Sequence, residues 1–253
     1  MAQPLKQLPQ LADLGFAPLG PGPINHSRPR ASGGPSDAIC DIGAVTQPTC
    51  VVEVGSWQGR SALLWGRELA ARSSSWTLIC VDSWLGSDRI RRLTGGEWGI
   101  ENLHLVDGYP TLYSTFVANI RRADMQDHVI PVPLDSAQGL ALLHSCGVVA
   151  DVIYIDAAHD YESVRTDITV ALALRNPGNP CALIVCDDFG PNYPGVVRAV
   201  LEHARRARLR VLLRDQQAAL VPRDAKDAIA ELIRRGWVEQ SLTRRKFGFR
   251  RRP

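Results

Sequence analysis

No apolar run in this chain reaches the ~18 residues that a membrane-spanning helix needs, so no transmembrane segment is expected. No secretory signal is expected either, because Lys6 is followed by a Gln/Pro/Leu mixture rather than an apolar segment. The six cysteines are scattered and form no C-x-x-C pair of the kind that holds a metal. Cys80, Cys181 and Cys186 fall in or beside strand-like runs, where a thiol behaves as a small hydrophobe. A reducing, cytoplasmic compartment is the expected location. There is no internal repeat. General basic character is lacking too, despite a net charge of +3. Arg244, Arg245, Lys246, Arg250, Arg251 and Arg252 lie within the last ten residues, and without those six the chain carries 23 basic against 26 acidic residues. A body at −3 argues against a broad nucleic-acid groove.

What is present is enough for one sizeable core, since 253 residues with 45% hydrophobic and 22% charged positions describe an ordinary globular α/β domain. The organising stretch is Thr49 to Ala71, TCVVEVGSWQGRSALLWGRELAA. Cys50, Val51, Val52 and Val54 read as a buried strand, Gly55 and Gly59 as a tight turn, and a helix follows from about Arg60. Glu53 is the informative residue, because a carboxylate inside an apolar strand needs a partner or a ligand. The spacing Glu53-x-Gly55-x-x-x-Gly59 is not the G-x-G-x-x-G of a dinucleotide site. Ser56, Trp57 and Gln58 would crowd a pyrophosphate, and the acid would repel it. A cationic or zwitterionic ligand suits the loop better, and S-adenosylmethionine is one. The alternative is an ordinary α/β turn that tolerates a glutamate.

Residues 1–38 are poor in regular pattern, and Leu19 to Pro35 is rich in Pro, Gly and Ser, so an arm, loop or lid is expected there. Residues 39–223 carry five strand-then-helix units and a closing hairpin. Trp76 to Val81 is the second strand, and Asp82 at its end is placed to accept hydrogen bonds from ribose hydroxyls. The insertion at 83–109 bears Trp84, Trp98 and Tyr109, which either line a substrate pocket or pack the insertion onto the domain. Thr111 to Arg122 reads as a helix, with Leu112, Phe116 and Ile120 on one face. His128 to Pro133 is the third strand, and Asp135-Ser136 behind it is either a helix cap or the place where an adenine edge is read. Asp151 to Asp156 and Ala182 to Cys186 are the fourth and fifth strands. Leu209 to Leu213 and Ala218 to Val221 form the hairpin, and residues 224–253 form a helix and a basic tail.

Open parallel sheets bind ligands at the carboxyl ends of their strands, which puts Glu53, Asp82, Asp156, Asp187 and Asp188 on one rim. Asp156, Asp187 and Asp188 would repel one another unless a cation relieved them, and an all-oxygen set suits Mg²⁺. His159 would stand beside them, with an ordinary pKa of about 6.5 that suits proton removal from a hydroxyl. Each of these residues also has a plain reading, as a helix cap, a turn pair or a solvated loop histidine.

The segments VVEVGSWQGRSALLWG, VDSWLGS, DGYPTLYSTFVANI, VIPVPLDSAQGLALL, DVIYIDAAHDYESVRTDI and IVCDDF together resemble class I S-adenosylmethionine-dependent methyltransferases. Within that class the chain looks most like macrocin-type sugar and natural-product O-methyltransferases, whose metal site is like that of catechol O-methyltransferases. The resemblance spans roughly Val51 to Leu220. It implies a Rossmann-like α/β fold, with a mostly parallel seven-stranded sheet, helices on both faces and an antiparallel last strand. It implies cofactor contacts from Glu53, Gly55, Ser56, Trp57, Gly59, Asp82, Ser83, Asp135, Ser136 and Asp156. It also implies Mg²⁺ on Asp156, Asp187 and Asp188, with His159 in the place of the catalytic base. Ala157-Ala158 depart from the glycine or small polar pair often found there, which leaves the loop path to His159 open. The expected partner is a small-molecule or sugar hydroxyl acceptor, and a homo-oligomer is compatible with the sequence. The rival reading is an RNA-directed methyltransferase, in which the terminal cations pair with phosphates and Phe247 and Phe249 stack on bases.

Overall fold

The computed structural model describes residues 8–25, 36–86 and 103–242. Trp98, most of the 83–109 insertion and the arginine-rich tail therefore lie outside the described residues.

The chain runs α1 (Pro9–Asp13), α2 (Asp37–Thr46), β1 (Cys50–Val54), α3 (Arg60–Ala70), β2 (Thr77–Val81), α4 (Leu112–Arg122), β3 (Val129–Val132) and α5 (Ser136–Ser145). It continues through β4 (Val152–Ile155), α6 (Tyr161–Leu174), β5 (Leu183–Cys186), α7 (Pro194–Arg206), β6 (Leu209–Arg214), β7 (Gln217–Pro222), α8 (Lys226–Arg234) and β8 (Val238–Glu239). The strands form one sheet in the order β3-β2-β1-β4-β5-β7-β6-β8. β1 to β5 pair in parallel, and β7 lies antiparallel between β5 and β6. The sheet has eight strands rather than the expected seven. The addition is β8, two exposed residues paired antiparallel to the end of β6, too short to leave an apolar pattern in the sequence.

Side chains alternate between two cores, as the period of a strand requires. Val52, Val54, Ile79, Val81, Ile153 and Ile155 pack beneath α5, α6 and α7. Val51, Leu78, Cys80, Val152 and Tyr154 pack beneath α2, α3 and α4, and Trp237 after α8 joins the same core. Both faces are covered, so β1 to β5 are apolar except for Glu53 and Thr77. Glu53 is in register with Cys80 and Tyr154 and points to the second face. The described part of the N-terminal arm runs beside β3, where the Leu19 N–H donates to the Val129 carbonyl at 3.2 Å.

The strand order reverses between β1 and β4, so their carboxyl ends flank the crevice where an open parallel sheet takes its ligand. The opposite edge is tied by Asp151, which is 3% exposed. Its carboxylate accepts from the Thr49 N–H at 2.8 Å, the Cys50 N–H at 3.1 Å, and Asn176 and Asn179 at 2.9 Å each. Burial pulls its pKa up, but these donors outweigh burial and hold it below the usual carboxylate value. A depressed folded pKa contributes stability above the unfolded value of about 3.9 and loses it as pH falls through the folded value. Asp151→Ala is thus expected to cost about 3 kcal/mol at pH 7. The gap between the melting temperatures of variant and wild type should narrow below pH 4. A gap independent of pH would show that the charge does not matter.

Candidate active site

The turn after β1 is made by Gly55, at φ +90°. A Cβ there would lie 2.2 Å from the Asp156 carbonyl oxygen, so β1 and β4 approach as closely as backbone allows. The Gly55 N–H donates to the Val81 carbonyl at 2.9 Å, which binds the turn to β2 as well. Trp57 also takes a left-handed conformation. Its N–H donates to Asp82 Oδ2 at 2.8 Å, and the Trp84 N–H donates to Asp82 Oδ1 at 2.6 Å. Asp82 therefore joins the first and second loops. A carboxylate has about four acceptor positions, so hydroxyls can still be received. Burial raises its pKa against these backbone donors.

Glu53 is fully buried. Its Oε2 accepts from the Ser56 hydroxyl at 2.5 Å and the Cys80 thiol at 3.6 Å, while Oε1 has no partner. Burial pushes its pKa up to about 7, against hydrogen bonds from Ser56, Ser61 and Cys80. An orphan acceptor at a strand end, with no cation paired to it among the described residues, fits the ammonium of an S-adenosylmethionine. Ser83 is half-buried and accepts from the Leu85 N–H at 3.3 Å. Asp135 caps α5 through the Gln138 N–H at 3.0 Å, and Ser136 begins that helix at the β3 end of the rim.

The loop Asp156-Ala157-Ala158-His159 turns back so that His159 Nε2 stands 2.5 Å from Asp188 Oδ2. One donor atom each from Asp156, His159 and Asp188 lies within 4.8 Å of the others. Asp187 is turned aside: its Oδ2 accepts from the Tyr154 hydroxyl and, at 3.4 Å, from Gln217, while Oδ1 accepts from the Asp188 N–H at 2.8 Å. Burial raises the pKa of Asp156 well above the usual value, and the charges of Asp187, Asp188 and Glu53 add to this, with Arg60 opposing. Burial likewise raises that of Asp187, against the Tyr154 hydrogen bond. Carboxylates crowded in this way fit a divalent cation, which would hold the buried Asp156 in its charged form.

Tyr154, Gln217, Tyr193 and Gly195 complete the site and are missing from the sequence-derived set. The Tyr193 ring is 4.6 Å from that of His159. A Cβ on Gly195 would lie 2.5 Å from the His159 carbonyl oxygen, so only glycine lets α7 pack against the His159 loop. The polar tip of Tyr154 in DVIYID was a usable signal, whereas Gln217 and Gly195 left none. Trp84 is buried against Tyr113 and Phe116, and its Nε1 donates to the Trp57 carbonyl at 2.8 Å. Of the two roles open to it, Trp84 therefore takes the packing one, while Tyr109 is 73% exposed.

The family profile described as a methyltransferase domain matches residues 52–189, more than half of the chain. The chain belongs to the methyltransferase domain family. This S-adenosylmethionine-dependent methyltransferase shares its fold with several solved structures. An O-methyltransferase from Bacillus cereus in complex with SAH is 16% identical, with a TM-score of 0.52, over 88% of this chain and 92% of that one. The O-methyltransferase NovP is 18% identical, with a TM-score of 0.55, over 73% of this chain and 79% of that one. CalS11, a TDP-rhamnose 3'-O-methyltransferase of calicheamicin biosynthesis, is 16% identical, with a TM-score of 0.50, over 73% and 78%. No curated protein sequence matches the methyltransferase. Among its described residues no helix is long and apolar enough to cross a membrane.

Proposed function

We propose that the protein methylates a hydroxyl of a sugar or small natural product, with a divalent cation, Mg²⁺ in the first instance, held at Asp156 and Asp188. The observation that carries this reading is the convergence of Asp156, His159 and Asp188 within 4.8 Å, beside the turn that follows Glu53. The naming of NovP and CalS11 as O-methyltransferases supports the choice of oxygen as the acceptor atom. A cation bound there supplies the charge neutralisation these carboxylates lack and acidifies a nearby hydroxyl. S-adenosylmethionine brings a methyl group already activated by its sulfonium.

The chain's own residues do the rest. Glu53 receives the ammonium of the donor, and Asp82 receives the ribose hydroxyls. His159, held through Nε2 by the Asp188 carboxylate, accepts the acceptor's hydroxyl proton at its other ring nitrogen, Nδ1, and Asp188 stabilises the charged form. Asp187, fixed by Tyr154 and Gln217, keeps the Asp188 backbone in its left-handed conformation. Positioning and electrostatics carry most of the rate.

The test is methyl transfer to a panel of vicinal diols and sugars, with EDTA and after re-addition of Mg²⁺. Turnover is expected to fall at least a hundredfold in EDTA and to recover with the metal. Equal turnover in both would take the metal out of the mechanism, and no transfer to any hydroxyl would overturn the O-methylation reading.

A further inference from the structure

The turn after β1 is braced from outside by α4. A Cβ built on Gly59 would lie 3.1 Å from the Phe116 ring and 3.9 Å from Ile120, so the helix rests directly on the turn. Between those two residues in sequence stands Asn119, polar yet only 3% exposed. A buried amide is costly unless both of its ends are used, and here both are. Asn119 Nδ2 donates to the Gln58 carbonyl at 2.9 Å, and Oδ1 accepts from Arg122 Nη1 at 2.8 Å. The other terminal nitrogen of the same guanidinium, Nη2, donates to the Asn25 carbonyl at 2.6 Å. Arg121 holds the N-terminal arm two residues earlier, through the Pro23 carbonyl at 3.1 Å. A Cβ on Gly22 would lie 2.5 Å from the Arg121 guanidinium, so the arm passes close against α4. A continuous hydrogen-bonded path thus runs from the arm through Arg122 and Asn119 to Gln58. Gln58 follows Trp57, whose N–H reaches Asp82 at 2.8 Å and whose carbonyl accepts from Trp84 Nε1 at 2.8 Å.

We propose that Asn119 is a positioning residue for the methyl donor, and that residues 23–25 of the arm act on the cofactor turn through it. This rests on the reading of Glu53, Asp82 and the turn between them as the S-adenosylmethionine site, which it deepens. The turn has few means of holding itself. Trp57 sits in the left-handed region at φ +48°, a conformation that a bulky residue keeps only where its surroundings enforce it. Two side-chain donors do so, the Trp84 indole on the Trp57 carbonyl and the Asn119 amide on the Gln58 carbonyl. Without the second, the peptide plane after Gln58 is free to turn, and the Trp57 N–H no longer fixes the Asp82 carboxylate for ribose hydroxyls. Packing alone does not call for an amide there, because a leucine has nearly the same volume. Arg122 sets which way the amide faces. A guanidinium only donates, so it meets Oδ1 and leaves Nδ2 to Gln58.

Calorimetric titration of the full-length protein with SAH tests the proposal, with the melting temperature of each variant measured alongside. Asn119→Asp keeps an acceptor for Arg122 but sets a carboxylate against the Gln58 carbonyl. It should bind SAH roughly tenfold more weakly while melting within about 3 °C of wild type. Arg122→Lys lacks the planar fork that serves Asn119 and the Asn25 carbonyl together, and should weaken SAH binding roughly threefold. The double variant should bind no more weakly than Asn119→Asp, because the arm's effect passes through the amide already lost. Asp151→Ala is the stability control: it loosens the opposite edge of the sheet and should lower the melting temperature with SAH affinity unchanged within about twofold. The inference is overturned if Asn119→Asp or Arg122→Lys binds SAH as tightly as wild type. It is equally overturned if Asp151→Ala weakens SAH as much as Asn119→Asp does, or if the two losses multiply in the double variant. Failure of the wild-type protein to bind SAH would instead overturn the cofactor-site reading on which the inference stands.

Discussion

Replacing His159 with alanine is expected to lower kcat by roughly 10²- to 10⁴-fold, the usual loss on removing a positioned general base. The expectation follows from how the imidazole is held. Its Nε2 faces Asp188 at 2.5 Å, Tyr193 covers the ring at 4.6 Å, and the close approach at Gly195 fixes the loop from behind. Three of these supports come from the segment after β5, so the ring is carried by one loop and placed by another. The groups assigned to the methyl donor lie at the ends of β1 and β2, so SAH affinity should stay within threefold. His159→Gln, which keeps a polar side chain of similar reach but cannot take the proton, should be as slow as alanine. The pH–rate profile of either variant should lose the limb that reports the base. A loss below threefold, or a restored rate in His159→Gln, would make His159 a positioning residue and send the proton elsewhere.

The parts of this protein that the sequence made legible are those fixed by local pattern. The five parallel strands are short, mostly apolar runs, and four of them end at glycine or an acid while β3 runs into Pro133; both features are visible one residue at a time. The rim position of Glu53, Asp82, Asp156, Asp187 and Asp188 follows from the strands and their direction alone. Side-chain direction does not follow. Asp187 and Asp188 are adjacent and chemically alike, yet one is hydrogen-bonded to Tyr154, 33 positions away, and the other faces His159. That difference arises from the left-handed turn at Asp188 and from Gln217 on β7, which no spacing rule connects to it. The helix α2 was also illegible, because its start is next to a Pro/Gly/Ser-rich stretch. What fastens it is distant: Asp41 accepts from Arg214, Arg235 and the Trp237 indole, each more than 170 positions along the chain. Contacts across such separations are what a single sequence does not disclose.

Gly55→Ala is expected to damage the fold and the cofactor site together. Two effects add. A non-glycine residue at φ +90° is strained by about 1–3 kcal/mol, and the new methyl carbon would lie 2.2 Å from the Asp156 carbonyl oxygen and 2.8 Å from the Ala157 Cα. Those neighbours are backbone atoms in a paired strand and its exit, so they cannot move aside as a flexible side chain would. Overpacking of this kind adds a further ~1–3 kcal/mol. A total of roughly 4 kcal/mol would lower the melting temperature by about 10 °C in a chain of this size. Gly59→Ala is the internal comparison. Its φ of +92° gives similar strain, but its methyl would meet only the Phe116 ring edge at 3.1 Å, which can yield. The difference between the two variants therefore isolates the contact between the β1 and β4 ends. Spreading those ends would also separate Glu53 from Asp156, so SAH affinity should fall at least tenfold in Gly55→Ala and less in Gly59→Ala. If Gly55→Ala melts within 2 °C of wild type and binds SAH as tightly, the two strand ends do not meet as described, and the site built on their meeting fails with them.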